Sequence, residues 1–299
     1  MRIEVTHLTR YRYQPQVDNA QHVAYLTPAS SPAQQVRSHS LQVSPQPGEC
    51  ESRQDIYGNT CTFFSIAKPH SALCVTARST VVTLPRPHIE STAPWEAVQA
   101  QLRYRAHAPY HSATEFVFAS PYAPRHADFA HYALPSFSPG APLPDCAAHL
   151  MGRIHADFVY ETHSTQVNTP TLQALAQRRG VCQDFAHIMV ACWRAMGLPA
   201  RYVSGYVLTQ PPEGQARLVG CDASHAWASV FMPTGIAAST RELGDGQWLD
   251  CDPTNNRNPG EDYITLATGR DFADVSPLRG VILGGADHQL EVEVTVTPK

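Results

Sequence analysis

Cysteine, histidine and aspartate side chains stand in three separate motifs whose residue types and spacing could do nucleophilic chemistry. Cys182 lies in the motif GVCQDFAH, at the point where an apolar segment with helical periodicity begins. Unpaired N–H groups and the positive end of the helix dipole at such a position favour a thiolate, which is the nucleophilic form of cysteine. On its own this signal is weak, because a cysteine near a helix start is more often a small buried residue.

Two later motifs supply the other groups that a cysteine nucleophile needs. The motif SHAWASVF carries His225 near its start, and WLDCD ends at Asp252. A thiol nucleophile needs an imidazole within hydrogen-bond reach, and the imidazole needs a third group that fixes its tautomer. If the two strands pair antiparallel and the helix of Cys182 packs across them, the three side chains converge. The sequence therefore predicts a triad of Cys182, His225 and Asp252.

A second carboxylate, that of Asp250, competes for the third role. It lies two residues before Asp252 and, on a strand, would point to the same face. Spacing alone therefore does not choose between the two carboxylates.

Three helices and three strands are predicted around the nucleophile. The first helix begins near Asp145, which can serve as its N-cap, and the second runs from Thr169 or Pro170 through Arg179, with Gly180 as its stop. The third, CQDFAHIMVACWRAM, has an apolar stripe at helical spacing and ends at Gly197. Strand candidates RYVSGYVL, HAWASVFM and QWLDCDPT follow it. A helix that leads into an antiparallel sheet is typical of an α+β domain.

The chain divides into a β-rich first domain, a connector and the catalytic domain. Residues 1–87 contain strand-like segments such as IEVTHLTRYRY and CVTARSTVVTL, separated by turn signals such as SPQPGE and YGN. Residues 88–144 are rich in proline, which prevents long regular elements, and are predicted to wrap the surface with one helix near Trp95 to Arg105. Residues 145–299 form the catalytic domain, and its last segment, HQLEVEVTVTP, is predicted to close a sheet edge.

The segments RGVCQDFAHIMVACWRAMGLPARYVSGY, SHAWASVFMP and WLDCDPTNN resemble, in this order, the core of the transglutaminase-like superfamily. The resemblance implies a papain-like α+β fold in which an antiparallel sheet packs on the nucleophile helix. It also implies that Cys182 is the nucleophile, His225 the general base and acid, and Asp252 the orienting carboxylate. Because the family motif has its acid directly before Pro-Thr in sequences like this one, the resemblance favours Asp252 over Asp250. The RYRY start and the YGN turn are similar to the β-rich N-terminal region of bacterial members.

The resemblance further implies acyl-enzyme chemistry on a peptide or carboxamide bond, with a peptide or protein as substrate. With water as acceptor the activity is that of a cysteine peptidase or amidase, and with a lysine-type amine it is that of a cross-linking transglutaminase. We favour hydrolysis, because intracellular bacterial relatives look more like peptidases, the chain has none of the extra β-sandwich domains of the animal enzymes, and free cross-linking in a cytoplasm would be hazardous. A non-catalytic binding module of the same fold is a further alternative, but the complete triad counts against it.

Acyl transfer of this kind needs two donors for the oxyanion. The backbone N–H of Cys182 is a natural first donor. The resemblance places the second in a side chain near the segment FVYETHSTQVNT, in which no single residue stands out.

Several other residues near these motifs have simpler explanations than catalysis. Asp184 is predicted to order the helix start through the helix dipole, and His187, turned away from Cys182 on the helix, to be a packing or substrate-edge residue. Trp227 and Trp248 are predicted to fill a core or a cleft wall, as large strand aromatics usually do. The remaining candidates, which border the cleft or are ordinary strand residues, are Arg201, Tyr202 and Tyr206.

Composition limits the partners and the compartment. With a net charge of −4 and no Lys/Arg cluster, the chain is not expected to bind nucleic acid. No apolar run has the length of a membrane span and no secretory signal is present, so we predict a cytoplasmic protein without a membrane partner. The 8 cysteines contain no CxxC and are predicted to be free thiols.

Neither a metal nor a cofactor is expected. The residues that a metal site would have to use show none of the tight spacings of zinc ligands, and no phosphate loop or dinucleotide motif is present. These residues are Cys182, His187, Cys192, Cys221 and His225. The sequence leaves the oligomeric state open.

Overall fold

The computed structural model describes residues 1–87, 89, 91–103, 106, 110–162, 169–209, 224–233, 246–285 and 287–299. It confirms the predicted α+β class, since a β-rich N-terminal region precedes a core in which an antiparallel sheet packs on the helix that begins at Cys182. Within these described ranges, no helix is long and apolar enough to cross a membrane.

A long first strand organises the N-terminal sheet. The strands of this region are β1 (Arg2–Ala24), β2 (Gln34–Ser44), β3 (Glu49–Gln54), β4 (Thr60–Ile66) and β5 (His70–Thr83). Buried and partly exposed residues alternate along the first half of β1, which is the period of a strand with one covered face. The hydrogen-bonded order is β2-β5-β1-β4-β3, with all neighbours antiparallel. The turn signals between the strand-like segments therefore separate real strands.

The end of the chain returns to this first sheet. Strands β12 (Leu278–Gly284) and β13 (Asp287–Pro298) pair antiparallel with successive parts of β1. Our division of the sequence grouped them with the catalytic domain, but their partner lies more than 250 residues earlier, beyond the reach of any local pattern. The alternation in HQLEVEVTVTP correctly indicated a strand and carried no information about which sheet it would join.

The proline-rich connector contributes to the core as well as crossing the surface. It contains α1 (Trp95–Leu102), 3₁₀ turns at Ser112–Val117 and Leu134–Ser136, and α2 (Ala127–Ala133). The helix predicted near Trp95 to Arg105 corresponds to α1, which ends at Leu102. The expected last residue, Arg105, lies outside the described residues. Phe129 and Phe137 are buried in the same cluster as the nucleophile helix, because prolines limit helix length without preventing apolar side chains from packing.

The core around Cys182 consists of helices packed against a four-stranded antiparallel sheet. Its first part comprises α3 (Leu143–Asp157), β6 (Val159–Tyr160), α4 (Thr171–Gln177), β7 (Arg179–Gly180) and α5 (Cys182–Ala195). Its second part comprises β8 (Ala200–Val207), β9 (Ser224–Pro233), β10 (Gly246–Cys251), β11 (Tyr263–Gly269) and α6 (Phe272–Val275). The sheet order is β10-β9-β8-β11, and α5 packs across β8 and β9. Every residue from 184 to 194 of α5 is buried, because the sheet and the helices of the first part cover it together.

Two helix boundaries differ from those expected. Helix α3 begins at Leu143 after Pro142, so Asp145 lies in its first turn and is not the N-cap. Helix α4 ends at Gln177 and its C-cap Arg178 adopts the left-handed conformation with φ of 55°, so Gly180 is not its stop and belongs instead to β7. A proline in the first turn starts α3 in place of the predicted cap Asp145. A left-handed residue ends α4 in place of the predicted stop Gly180.

Candidate active site

Cys182 is the first residue of α5, and the turn before it is held by Asp184. The carboxylate of Asp184 accepts a hydrogen bond of 2.9 Å from the backbone N–H of Val181. This is the N-terminal capping role predicted for Asp184. A side chain at Gly180 would place its Cβ 2.6 Å from the Asp184 carboxylate oxygen, so only glycine fits there without displacing the cap. The local sequence thus fixes where the helix begins, and with it the position of the thiol.

His225 is the second residue of β9 and connects the other two predicted triad members. Its Nε2 lies 2.7 Å from Oδ2 of Asp252. Cys182 lies close enough to the side chain of His225 to raise its pKa. Because Nε2 is directed to the carboxylate, Nδ1 is the nitrogen that remains for the thiol. The structure therefore brings Cys182, His225 and Asp252 together in the order that the sequence predicted.

The carboxylate of Asp252 is fully buried and saturated with hydrogen bonds. Besides His225, its Oδ2 accepts from the Tyr263 hydroxyl and from Nδ2 of Asn255, each at 2.7 Å. Its Oδ1 accepts from the backbone N–H groups of Thr254 at 2.9 Å and Asn255 at 3.3 Å. Five donors thus replace the water that this charge loses on burial.

Burial and hydrogen bonding act in opposite directions on both members of the His–Asp pair. Burial lowers the pKa of His225, but the hydrogen bond with Asp252 and the nearby Cys182 outweigh that effect and hold the pKa well above the ordinary value. Burial raises the pKa of Asp252, but hydrogen bonds from His225 and other donors outweigh it and hold that pKa below the ordinary value. At neutral pH the site therefore contains an imidazolium beside a carboxylate.

Asp250, the competing carboxylate, makes a different set of contacts. It accepts hydrogen bonds from Nη1 of Arg86 and from the Ser229 hydroxyl. Asp252, and not Asp250, is the carboxylate bonded to His225. A turn closed by backbone hydrogen bonds between Asp252 and Arg257 follows β10 and directs the later aspartate to the imidazole.

His187 is a packing residue in this structure. Its ring is stacked between those of Tyr122 and Tyr202, with ring centroids 5.1 Å and 4.7 Å away. Its Nε2 accepts a hydrogen bond of 3.1 Å from the backbone N–H of Phe272, and burial lowers its pKa to about 3. A buried, neutral imidazole that accepts from the backbone does not border a substrate.

The other singled-out residues are mostly structural. Trp227 is buried, and Trp248 packs against Phe116 with the guanidinium of Arg201 over its ring. Two tyrosines that could have bordered a cleft, Tyr202 and Tyr206, are buried instead. Apolar burial on both faces of the catalytic sheet explains this outcome.

The metal interpretation of the sequence would use Cys182, His187, Cys192, Cys221 and His225 as ligands. Among the described residues, no group of three or more His, Cys, Asp or Glu side chains is placed to hold a metal ion. Cys221, one residue of that interpretation, lies outside the described part of the chain. The segment expected to hold the second oxyanion donor is also described only in part, because residues 163–168 lie outside it.

Three residues near the site were not singled out from the sequence. Asn255 follows the predicted acid in the PTNN segment and contacts Asp252, and this adjacency was a usable signal. Tyr263 lies on the next strand, and nothing in its sequence neighbourhood indicates a contact with the triad. Tyr160 belongs to the segment expected to stabilise the oxyanion. Burial and then the nearby Cys182 raise its pKa.

This combination defines a class of proteins, in which a cysteine begins a helix and a sheet packed on that helix carries a His–Asp pair. A family model described as the transglutaminase-like superfamily matches residues 138–253. A second, described as the bacterial transglutaminase-like N-terminal region, matches residues 3–82. The chain belongs to the transglutaminase-like superfamily, as its motifs predicted.

Similar proteins are found in bacteria. An uncharacterized protein of Mycobacterium tuberculosis (strain ATCC 25618 / H37Rv) is 40% identical over 305 residues, which cover 99% of this chain and 93% of that protein. One from Mycobacterium leprae (strain TN) is 30% identical over 308 residues, covering 99% and 98%. A crystal structure of a candidate cysteine protease from Cytophaga hutchinsonii has a TM-score of 0.73 at 20% identity, covering 100% of this chain and 91% of that chain. At this identity the likeness concerns the fold alone. Family membership supports thiol-based catalysis in general.

Proposed function

We propose that this protein is a cysteine peptidase or amidase in which Cys182 is the nucleophile, His225 the general base and acid, and Asp252 the orienting carboxylate. The observation that carries the proposal is the imidazole of His225, which is hydrogen-bonded to the buried Asp252 carboxylate and lies close enough to Cys182 for the two side chains to interact. A cation in this position stabilises a neighbouring thiolate, and its proton is available to a leaving group.

In the proposed reaction, the Cys182 sulfur attacks the carbonyl carbon of a peptide or carboxamide bond. The C–N bond breaks as His225 gives its proton to the departing amine, which leaves a thioester and a neutral imidazole. A water molecule then gives a proton to His225 as its oxygen attacks the thioester carbon. Release of the acid restores the thiolate and the imidazolium, so the cycle consumes one water and no cofactor.

Reactivity of the thiol tests the proposal without a known substrate. Iodoacetamide labelling at pH 6, followed by mass spectrometry of each cysteine, should show Cys182 reacting faster than the exposed free thiol of Cys50. We expect this advantage to disappear in His225→Ala, because the imidazolium is removed. Labelling of Cys182 no faster than Cys50 would contradict thiol catalysis and favour a binding module of the same fold.

The acceptor is tested separately. Incubation with a library of quenched fluorescent peptides and an excess of a labelled primary amine distinguishes water from amine as the acyl acceptor. We expect cleaved peptides that carry a free acid at the new end, and no products with Cys182→Ala. Incorporation of the amine at the acyl carbon would instead identify a transglutaminase.

The proposal includes the cytoplasm as the compartment of the reaction. The seven described cysteines are all free, as in proteins of reducing compartments. Immunodetection in fractionated cells should place the protein with the cytosolic fraction, and a signal in the cell envelope would contradict this part of the proposal.

A further inference from the structure

Two buried amide side chains of the N-terminal region bind the outer edge of β11, the edge strand of the catalytic sheet. Nε2 of Gln34 donates to the backbone oxygen of Thr265, and Oε1 of Gln34 accepts from the N–H of Thr265, both at 2.8 Å. Asn59 makes the same pair of bonds with the backbone N–H and oxygen of Thr268, again both at 2.8 Å. Each primary amide thus takes the place of a peptide group on a neighbouring strand.

Both amides are fixed in orientation by contacts within the N-terminal region. Nε2 of Gln34 also donates to the backbone oxygen of Ala29 at 2.6 Å, and the N–H of Ala29 donates to the oxygen of Thr265 at 3.0 Å. Asn59 belongs to the YGN turn and is held by the Asp55 carboxylate through its Nδ2 at 2.8 Å and its backbone N–H at 2.9 Å. The bonds to β11 are therefore made by immobilised groups, with Gln34 and Asn59 each only 3% exposed.

The strand that they hold begins with a residue of the site. Tyr263, the first residue of β11, donates its hydroxyl to Oδ2 of Asp252 at 2.7 Å, and this is the oxygen that also accepts from His225. Tyr263 and Thr265 are separated by a single residue, so the bonds from Gln34 and the hydroxyl lie on one short stretch of backbone.

The bonds from Gln34 and Asn59, together called the clamp, can fix the register of β11. Among the described strands, β11 pairs with β8 alone, and this pairing is irregular between Thr265 and Ala267. An edge strand with a bulge can settle in more than one register, and a shift of one residue turns side chains to the opposite face. Such a shift would remove the Tyr263 hydroxyl from Asp252.

We propose that Gln34 and Asn59 are positioning residues, which hold β11 in the register at which Tyr263 hydrogen-bonds Asp252, so that the N-terminal region orients the catalytic acid. The inference rests on the proposed function of the triad. It assigns a role to the YGN turn, which acts through β11 and makes no contact with the reacting groups.

The test measures the rate constant of iodoacetamide with Cys182 at pH 6, with Cys50 of the same molecule as internal reference. In Gln34→Ala and in Asn59→Ala we expect the rate to fall about fivefold, the factor that one hydrogen bond of ordinary strength supplies. The matched controls Gln35→Ala and Asn19→Ala remove exposed amides from the same region and should leave the rate unchanged.

A double-mutant cycle separates positioning from general destabilisation. Tyr263→Phe should slow labelling of Cys182 to a similar extent, and adding Asn59→Ala to it should cause no further loss, because both changes remove the same contact. Faster hydrogen exchange of residues 263–269 in Asn59→Ala should accompany the effect. Additive losses, or wild-type rates in both folded clamp variants, would overturn the inference.

Two controls distinguish a failure of the inference from loss of folding and from failure of the proposed function. If an alanine variant loses its native circular dichroism spectrum, Gln34→Glu replaces it, because a carboxyl group keeps the acceptor for Thr265 and removes the amide donor. Slow labelling of Cys182 in the wild type would contradict the proposed function itself. Fast labelling in the wild type and equally fast labelling in the folded clamp variants would contradict only the role of Gln34 and Asn59.

Discussion

At the scale of single residues, two carboxylates two positions apart have distinct environments. Asp252 is bonded to His225, whereas Asp250 is bonded to Arg86 and Ser229. The first stabilises an imidazolium and the second neutralises a guanidinium. Replacing each aspartate by asparagine should therefore show which of the two carboxylates acts on His225.

We expect Asp252→Asn to slow iodoacetamide labelling of Cys182 at pH 6 by at least about tenfold, since losing the counter-charge lowers the pKa of His225 and so weakens the imidazolium that stabilises the Cys182 thiolate. Asp250→Asn removes a charge from the same strand region and should leave the labelling rate unchanged. Equal effects of the two substitutions would show that the assignment of the acid is wrong.

Tyr160 offers a prediction about the oxyanion. Burial and then the nearby Cys182 raise its pKa, and about half of its surface is exposed. If it is the second donor, Tyr160→Phe should lower kcat by about 100-fold with KM little changed. The labelling rate of Cys182 should stay at the wild-type value, because no oxyanion forms in alkylation. A change in KM alone would assign Tyr160 to substrate binding.

At the scale of elements, the start of α5 depends on a close approach between Gly180 and Asp184. A methyl group at Gly180 would lie 2.6 Å from the carboxylate oxygen that caps the helix. We expect Gly180→Ala to lower the free energy of unfolding by about 1–3 kcal/mol, measured by urea denaturation. Gly48→Ala is the matched control, since nothing lies within 4 Å of a Cβ at Gly48.

A second substitution tests the cause of that loss. Because the clash is with the Asp184 side chain, the double variant Gly180→Ala/Asp184→Ala should lose less stability than the sum of the single variants. If the stability losses of the two single variants simply add in the double variant, the strain caused by Gly180→Ala lies elsewhere in β7.

At the scale of the whole molecule, buried neutral histidines make stability depend on pH. Burial lowers the pKa of His7 to about 4 and that of His187 to about 3. His7 hydrogen-bonds Tyr206 across the contact between the two sheets, and His187 packs between rings beside α5. Both pKa values lie below the ordinary value of 6.5, so the unfolded chain takes up protons first as the pH falls.

The free energy of unfolding should therefore decrease from about pH 6.5 to about pH 4, with these two groups contributing up to about 3 kcal/mol per pH unit. Urea denaturation at intervals across this range measures the slope. His7→Gln and His187→Gln should each flatten it, whereas His288→Gln, at an exposed position, should not. A slope unchanged in both buried variants would show that other groups control acid stability.

The local signals of the sequence were sufficient to predict the helix that begins at Cys182. The apolar stripe of CQDFAHIMVACWRAM and Gly197 predicted α5 almost to the residue, because helix periodicity and a helix stop are short-range properties. The catalytic roles of Cys182, His225 and Asp252 stay predictions, but the structure brings these side chains together. The boundaries of α3 and α4 were less accurate, since a proline and a left-handed arginine replaced the expected cap and stop.

Sequence by itself determined the superfamily, the fold class and the three motifs, since each depends on residue types within a short stretch or on the order of such stretches. Only the tertiary structure decided that the last strands join the first sheet, that the donors to Asp252 include Tyr263, and that Gln34 and Asn59 bind β11. Such contacts join segments distant in the chain and depend on hydrogen bonds that satisfy buried backbone and charge. A polar side chain looks the same in a sequence whether it will face water or complete the edge of a sheet.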